Sequence, residues 1–295
     1  MAFQKVLVTG AGGFLGTHLC AKLASQGMQV TAFVQKNQSA PLNTTAFEGD
    51  VLNLQDLEKA MQGVDAVFHL AGQTTPKKAQ ENPQEDFKIN VQGTKNALEA
   101  AEKNSVDTFL FTSTSYVYGF HGKTPLKESL ECSPDKEYGK SKLAAEKLCR
   151  LFAQEGKINR AVISRLFNVY GPGQKGRVIP DLIQKARTTQ GNSFEVLGNC
   201  ADFRDFLYVD DAVDALVLLA QKGQNGESYN VANGKSIEVK ELAEKIAQAT
   251  NTSKLPSCAK YDPATSRGMN ANNTKLRQLG WSPSTHLEEG LKKCL

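Results

Sequence analysis

The amino-acid sequence predicts an α/β fold on a doubly wound parallel sheet, completed by a smaller C-terminal region. Three observations carry this. Short apolar runs alternate with longer segments of helical periodicity through the first half of the chain. The runs are apolar on both faces, as strands are when helices cover both sides of a sheet. A glycine-rich turn stands between the first run and the first helical segment, where such folds turn most tightly.

Taken in order, the predicted strands are Lys5–Thr9, Gln29–Val34, Ala66–Leu70, Thr108–Thr112 and Ala161–Leu166, each bounded by turn residues or charges. Between them Phe14–Ser25, Leu54–Met61, Phe87–Lys103 and Tyr138–Gln154 read as helices. Repetition of this kind argues for parallel strands. The texture changes after Asn168, where Gly171-Pro172-Gly173 breaks the chain. Phe203–Val209 with Asp211–Gln221 reads as one more strand–helix unit of the first kind. Beyond Asn233 come two helical stretches and a loop holding Pro256, Pro263 and Gly268. The expected division is a sheet domain of residues 1–167 plus about 205–232, and a region of about 168–204 plus 233–295 closing over one end of the sheet.

Composition narrows the class. The chain has 295 residues, 40% hydrophobic and 22% charged, which is ordinary for a globular protein able to bury a large core. Its net charge of +4 is scattered, so no basic face argues for nucleic acid, although the surplus suits a small anionic ligand. Six cysteines form no CxxC pair and no metal-like spacing with the four histidines. Cys20 and Cys149 lie in apolar helical context, and the pattern reads as reduced cysteines in a cytoplasmic protein. No signal peptide or membrane span is expected: a buried-strand pattern starts at Lys5, and the most apolar stretch, Ala212 to Ala220, contains Asp214.

The turn Thr9-Gly10-Ala11-Gly12-Gly13-Phe14-Leu15-Gly16 carries the first chemistry. Gly10 permits the tight turn, Gly13 lets backbone approach a pyrophosphate, and Gly16 lets helix pack on strand. The pyrophosphate would sit at the helix N-terminus, where unpaired N–H groups and the dipole favour anions. Gly10, Gly13, Phe14, Leu15 and Gly16 are therefore candidate cofactor contacts in a Rossmann-type fold.

This pattern resembles the extended short-chain dehydrogenase/reductase family, whose fingerprint is TGxxGxxG. The resemblance extends to Gly49-Asp50-Val51, whose Asp in the family meets adenine, to His69-Leu70-Ala71-Gly72, whose backbone lines the cofactor, and to Asn90-Val91-Gln92-Gly93-Thr94. It implies Asp50, Val51, Leu70, Ala71, Gly72, Asn90 and Thr112 as further cofactor contacts. His18 and His69 read as packed or surface histidines. Where NAD-preferring members end the second strand with an acid, this chain has Val34, then Gln35 and Lys36. Without a carboxylate nothing repels a 2′-phosphate, and Lys36 could attract one. NAD and NADP both stay open.

Tyr138-Gly139-Lys140-Ser141-Lys142 sets Tyr138 and Lys142 four residues apart, on one helix face. A free tyrosine, with a pKa near 10, is a poor base at neutral pH. A neighbouring ammonium favours the phenolate and makes it one. About two dozen residues upstream, Thr112-Ser113-Thr114-Ser115-Tyr116-Val117-Tyr118-Gly119 ends an apolar strand. The resemblance maps the catalytic hydroxyl onto Thr114, with Lys142 also holding the cofactor ribose. The family's 4,6-dehydratases and UDP-glucuronate decarboxylases keep a glutamate just after that hydroxyl. Here Ser115 and Tyr116 stand instead, and neither replaces a carboxylate base. Dehydration is disfavoured.

On the substrate side, Arg165-Leu166-Phe167-Asn168-Val169-Tyr170-Gly171-Pro172-Gly173 resembles the family's RxxNxYGPGQ segment. The resemblance assigns Asn168, Val178, Arg204 and Arg267 to a nucleotide diphosphate-sugar, beside Thr114 and Ser115. An arginine makes charge-assisted bonds to a diphosphate. Asp210 and Asp211 read as a helix N-cap, and Leu279-Gly280-Trp281-Ser282-Pro283 as a packing turn. The expected function is NAD(P)-dependent nucleotide-sugar epimerisation through a transient keto sugar. A one-way reductase of a keto sugar or other small carbonyl compound is the rival, and a non-catalytic dinucleotide sensor a third class. No metal, nucleic acid or membrane partner is expected. The family commonly dimerises through the helices placed at Phe87–Lys103 and Tyr138–Gln154, so a homodimer is.

Overall fold

In β1 (Lys5–Thr9) the side chains of Val6 and Val8 enter one apolar layer and Leu7 the other, as the two-residue period of a strand requires. The structure, a computed structural model describing residues 3–119 and 125–295, repeats this along the chain. After β1 come α1 (Phe14–Ser25), β2 (Gln29–Val34), β3 (Thr45–Glu48), α2 (Leu54–Ala60) and β4 (Ala66–His69). Then follow α3 (Pro76–Glu81), α4 (Pro83–Phe87), a π turn at Lys88–Gln92, α5 (Gly93–Lys103) and β5 (Thr108–Thr114). A 3₁₀ turn at Ser115–Tyr118 precedes α6 (Glu137–Gln154), β6 (Arg160–Leu166), β7 (Asn168–Tyr170) and α7 (Val178–Thr188). The last part holds β8 (Ser193–Asn199), β9 (Phe203–Tyr208), α8 (Val209–Lys222), β10 (Ser228–Val231), β11 (Ser236–Glu238), α9 (Val239–Ala249) and β12 (Leu255–Lys260). It ends with α10 (Thr274–Arg277) and α11 (Leu287–Lys293).

Seven parallel strands form the main sheet in the order β10-β6-β5-β4-β1-β2-β3. On one face α1 and α8 pack through Leu19, Leu23 and Leu216; on the other α2, α5 and α6 pack through Leu57, Leu98 and Phe152. Each fully buried leucine contributes about 1.5–3 kcal/mol. From β1 the chain winds out to β2 and β3 on one side and to β4, β5 and β6 on the other. That reversal opens a crevice at the C-terminal ends of β1 and β4, the usual ligand position in such sheets.

The five expected strands all form, but other expectations change. Phe203–Val209 does not extend the main sheet: β9 lies between β11 and β7 in a separate three-stranded sheet, while α8 after it returns to the main core. β10, which does join the main sheet beside β6, was missed because Ser-Tyr-Asn-Val is no apolar run. The edge strand β3 was missed because it is mostly exposed. Pro256, expected in a loop, lies in β12, which among the described residues pairs with β8 alone and so tolerates a missing N–H. The helix expected from Phe87 begins instead at Pro83 and passes through the π turn. Asp210 and Asp211 sit in the first turn of α8 without capping it. Asp211 instead accepts from Ser284 N, Ser284 Oγ and Thr285 N, pinning the C-terminal segment.

The cysteine expectation also needs correction. Cys200 and Cys258 are disulfide-bonded, joining the end of β8 to β12, while Cys20, Cys132, Cys149 and Cys294 are free. The two are 58 residues apart, so no local spacing marks them, and the cysteines no longer argue for a reducing compartment. Among the described residues no helix is long and apolar enough to cross a membrane.

Candidate active site

The glycine turn fills the β1 side of the crevice. Gly10 has φ +69°, and a Cβ there would lie 2.8 Å from Ala71 N on the β4 loop. Both conditions demand glycine. A Cβ on Gly16 would strike the Gly10 carbonyl, so this glycine lets α1 start against the turn itself. Gly13 is the N-cap of α1, with no side-chain cap and no acid in the first turn. The absence of a side-chain cap and of an acid at this helix start makes the turn fit a pyrophosphate. Phe14 and Leu15 are half-buried beside it. At the adenosine end a Gly12 Cβ would lie 3.1 Å from Gln38 Oε1, so the turn after β2, carrying exposed Lys36, borders the glycine turn. Val34 is buried at the end of β2 and offers no polar group. Exposed Asp50 accepts from Leu52 N, and Val51 packs beneath Gly93.

His69 is a packed histidine, as expected, and its hydrogen bonds have one consistent direction. The Thr94 hydroxyl donates to the Asn90 carbonyl (2.6 Å) and so accepts from His69 Nε2–H (3.2 Å). His69 Nδ1 then accepts from Thr9 Oγ1 (2.8 Å), which accepts from Ala71 N–H (3.2 Å). Burial holds the imidazole down to about 3, hence neutral. The chain of bonds fixes the backbone at Leu70–Gly72. Thr112 Oγ1, donating to the His69 carbonyl, ties β5 to the same place.

Thr114 ends β5 and Tyr138 opens α6, and the Thr114 hydroxyl, which accepts from Tyr116 N at 3.3 Å, lies close enough to the Tyr138 phenol to favour its ionised form. Burial pushes that phenol up to about 12, against the pull of the Thr114 hydroxyl and the Arg177 charge. One turn further on, Lys142 is 4% exposed, its Nζ 4.2 Å from the Phe111 ring centroid. Burial lowers it to about 8 despite the nearby Glu146 and Asp86. A Cβ on Gly72 would lie 3.7 Å from that Nζ, so the ammonium faces the loop expected to line the cofactor. Buried Ser115 starts the 3₁₀ turn, and the Tyr116 ring packs edge-on to Tyr138 with centroids 5.8 Å apart. No carboxylate occupies either position.

Sequence reasoning missed the supports of this site. Asp86, Asn90 and Ser141 form a buried cluster in which Asn90 Nδ2 donates to Asp86 and Ser141 and Ser141 Oγ donates to Asp86. Asn90 Oδ1 accepts from Gln73 N. Asn90, expected as a cofactor contact, is thereby bonded within the π turn's surroundings and anchors the loop at Gln73. Ser113 Oγ donates to Glu146, which is paired bidentately with Arg165 (3.0 and 2.8 Å) and also with Arg150 (3.1 Å), all between β5, α6 and β6. A carboxylate four residues after Lys142 was the available signal.

The residues expected on the substrate side lie on β7, α7, β9 and the segment before α10. Arg204 Nη1 donates to the Phe203 and Arg267 carbonyls, and Arg267 N donates to Asp202, so the two arginines expected at one diphosphate are neighbours. Asn168 Nδ2 donates to the Asp205 carbonyl, joining β7 to β9. Val178 is exposed at the start of α7, next to Arg177, whose Nη2 donates to the Thr74 carbonyl at 2.8 Å.

A family model described as NAD dependent epimerase/dehydratase matches residues 6–232. The GDP-6-deoxy-D-mannose reductase of Pseudomonas aeruginosa is 34% identical, over 99% of this chain and 96% of its own length. The structure of UDP-glucose 4-epimerase from Thermotoga maritima with UDP-glucose superposes at TM-score 0.88, with 30% identity over 98% of this chain and 96% of that one. RMD from Pseudomonas aeruginosa, complexed with NADPH, does so at 0.85, with 31% identity over 98% and 97%.

Proposed function

The chain belongs to the NAD dependent epimerase/dehydratase family, within the extended short-chain dehydrogenases/reductases, and on that premise we propose that it epimerises a nucleotide sugar through a transient keto sugar. The observation that carries this is Tyr138 at the start of α6, near the Thr114 hydroxyl that ends β5 and one helical turn from the buried Lys142. When bound, NAD or NADP supplies hydride exchange. Tyr138 takes the proton of the reacting sugar hydroxyl and returns it, while Thr114 holds the same oxygen. Lys142 favours the phenolate and reaches toward the cofactor ribose past Gly72. Asn168, Val178, Arg204 and Arg267 hold the nucleotide diphosphate, in a substrate region of about 168–204 plus 233–295. Ser115 and Tyr116 supply no base for eliminating water.

A second reading, one-way reduction of a keto sugar, has its own support. Buried Val34 leaves the adenosine ribose without a carboxylate, exposed Lys36 follows it, and a relative of this length is a reductase. The protein is assayed with UDP-glucose for change of sugar configuration and with GDP-6-deoxy-D-mannose for NADP⁺ reduction. NAD⁺ retained through desalting with the first activity supports the epimerase; the second activity alone replaces it with the reductase. Exposed Phe87 and Leu151, on α4 and α6, support pairing of two chains through that face, which light scattering tests.

A further inference from the structure

We infer that the Cys200–Cys258 disulfide is a redox-sensitive positioning element for Arg204 and Arg267: closed, it holds the two arginines together for a nucleotide diphosphate, and a dithiol that opens it weakens that grip. The inference rests on the reading of those arginines as the diphosphate ligands.

The disulfide stands at one end of a seam that finishes on both arginines. Cys200 is fully buried in the turn between β8 and β9, and Cys258 is half-buried on β12. The register of β12 on β8 shifts just after Cys258. From there Cys200 N donates to the Lys260 carbonyl at 2.9 Å, Asn199 Nδ2 donates to the Asp262 carbonyl at 2.8 Å, and Asp262 N donates back to Asn199 Oδ1 at 2.9 Å. Asp262 caps the short 3₁₀ turn Pro263–Thr265, which leads to Arg267. Asp202, two residues beyond Cys200, accepts from Arg267 N at 2.7 Å and from Arg204 Nη2 at 3.4 Å. The Arg267 carbonyl accepts from Arg204 Nη1 at 2.9 Å and closes the seam.

The disulfide is the covalent link of this seam, and the bonds that follow it are hydrogen bonds. The segment from Ala259 to Arg267 has no buried residue, so no apolar packing anchors it and water can replace its hydrogen bonds. Two arginines serving one diphosphate also bring like charges together, and holding them ready needs a rigid connection. Opening the bond balances with a dithiol as reductant. A thiolate of the dithiol attacks Sγ of Cys258, the less buried partner, the S–S bond breaks, and Cys200 leaves as a thiolate that takes a proton. The second sulfur of the dithiol then displaces Cys258, which is protonated in turn. The dithiol ends as a cyclic disulfide, having given two electrons and two protons to the cysteines.

The test is calorimetric titration of the oxidised protein, the protein reduced with dithiothreitol, and Cys258→Ser. UDP and GDP report the diphosphate site, and NAD⁺ and NADP⁺ the cofactor site. The diphosphate that binds the oxidised protein should bind both other forms about 3–10-fold more weakly, with dinucleotide affinity unchanged. Dithiothreitol should have no further effect on Cys258→Ser. Unchanged diphosphate affinity in reduced protein whose thiol count has risen by two overturns the inference, and so does an equal loss of diphosphate and dinucleotide affinity. If Arg204→Ala binds the diphosphate as tightly as the wild type, or neither UDP nor GDP binds the oxidised protein, the reading of the arginines fails and the inference with it. Those two measurements are made without opening the disulfide, so the two failures are told apart.

Discussion

At the scale of single residues, the site is a phenol that must lose a proton in a place that opposes charge. Tyr138 is pushed up to about 12 and Lys142 down to about 8 by the same burial. Tyr138→Phe should lower kcat by about 10²–10⁴-fold, and Thr114→Val by about 10²-fold, with the fold intact by circular dichroism. The lysine also leaves a mark on stability. Folded Lys142 releases its proton near 8 and the unfolded side chain near 10.5, so between those values the unfolded chain binds more protons and stability rises with pH. Below about 8 the cost of the buried ammonium is fully present, on the order of 3 kcal/mol. Denaturant midpoints should therefore climb more steeply from pH 8 to 10 in the wild type than in Lys142→Met. Parallel slopes would refute the assignment. These residues were legible because YxxxK and the Ser/Thr cluster are local spacings.

At the scale of elements, β5, α6 and β6 are held by the buried ion pair of Glu146 and Arg165. Removing one partner strands the other charge, so Glu146→Gln should cost about 3–5 kcal/mol in chemical denaturation. Replacing both with methionine should recover most of it; a double variant as unstable as the single one would contradict this. Gly16→Ala puts a methyl into the Gly10 carbonyl, so α1 must move off the turn and dinucleotide affinity should fall at least about tenfold by calorimetry. The strand and helix cores were readable from periodicity. The π turn was not, because Asn90, at its centre, bonds Ser141 51 residues away as well as Asp86 one turn before it.

At the scale of the whole molecule, the regions outside the main sheet are tied together over long distances. The Cys200–Cys258 bond closes a loop of 58 residues. By chain entropy it contributes up to about 4 kcal/mol. Cys258→Ser should lose much of this, and a dithiol should lower the wild type to the same level. If the dithiol changes nothing in the denaturation midpoint, the bond contributes no stability. Asp205 shows the same kind of tie, accepting Asn233 N and Gly234 N from a buried position on β9.

The sequence by itself determined the parallel sheet, the glycine turn that fits a pyrophosphate, the Tyr138–Lys142 spacing and the lack of a carboxylate at 115 and 116. Each depends on residues within a few positions, where backbone geometry converts spacing directly into direction. Tertiary structure decided that Thr114 lies close to Tyr138, that β9 leaves the main sheet, that Asn90 turns inward, that Arg204 lies beside Arg267, and that Arg177 reaches Thr74. Those pairings follow from satisfying buried polar groups in three dimensions, between segments whose separation along the chain carries no periodic signal.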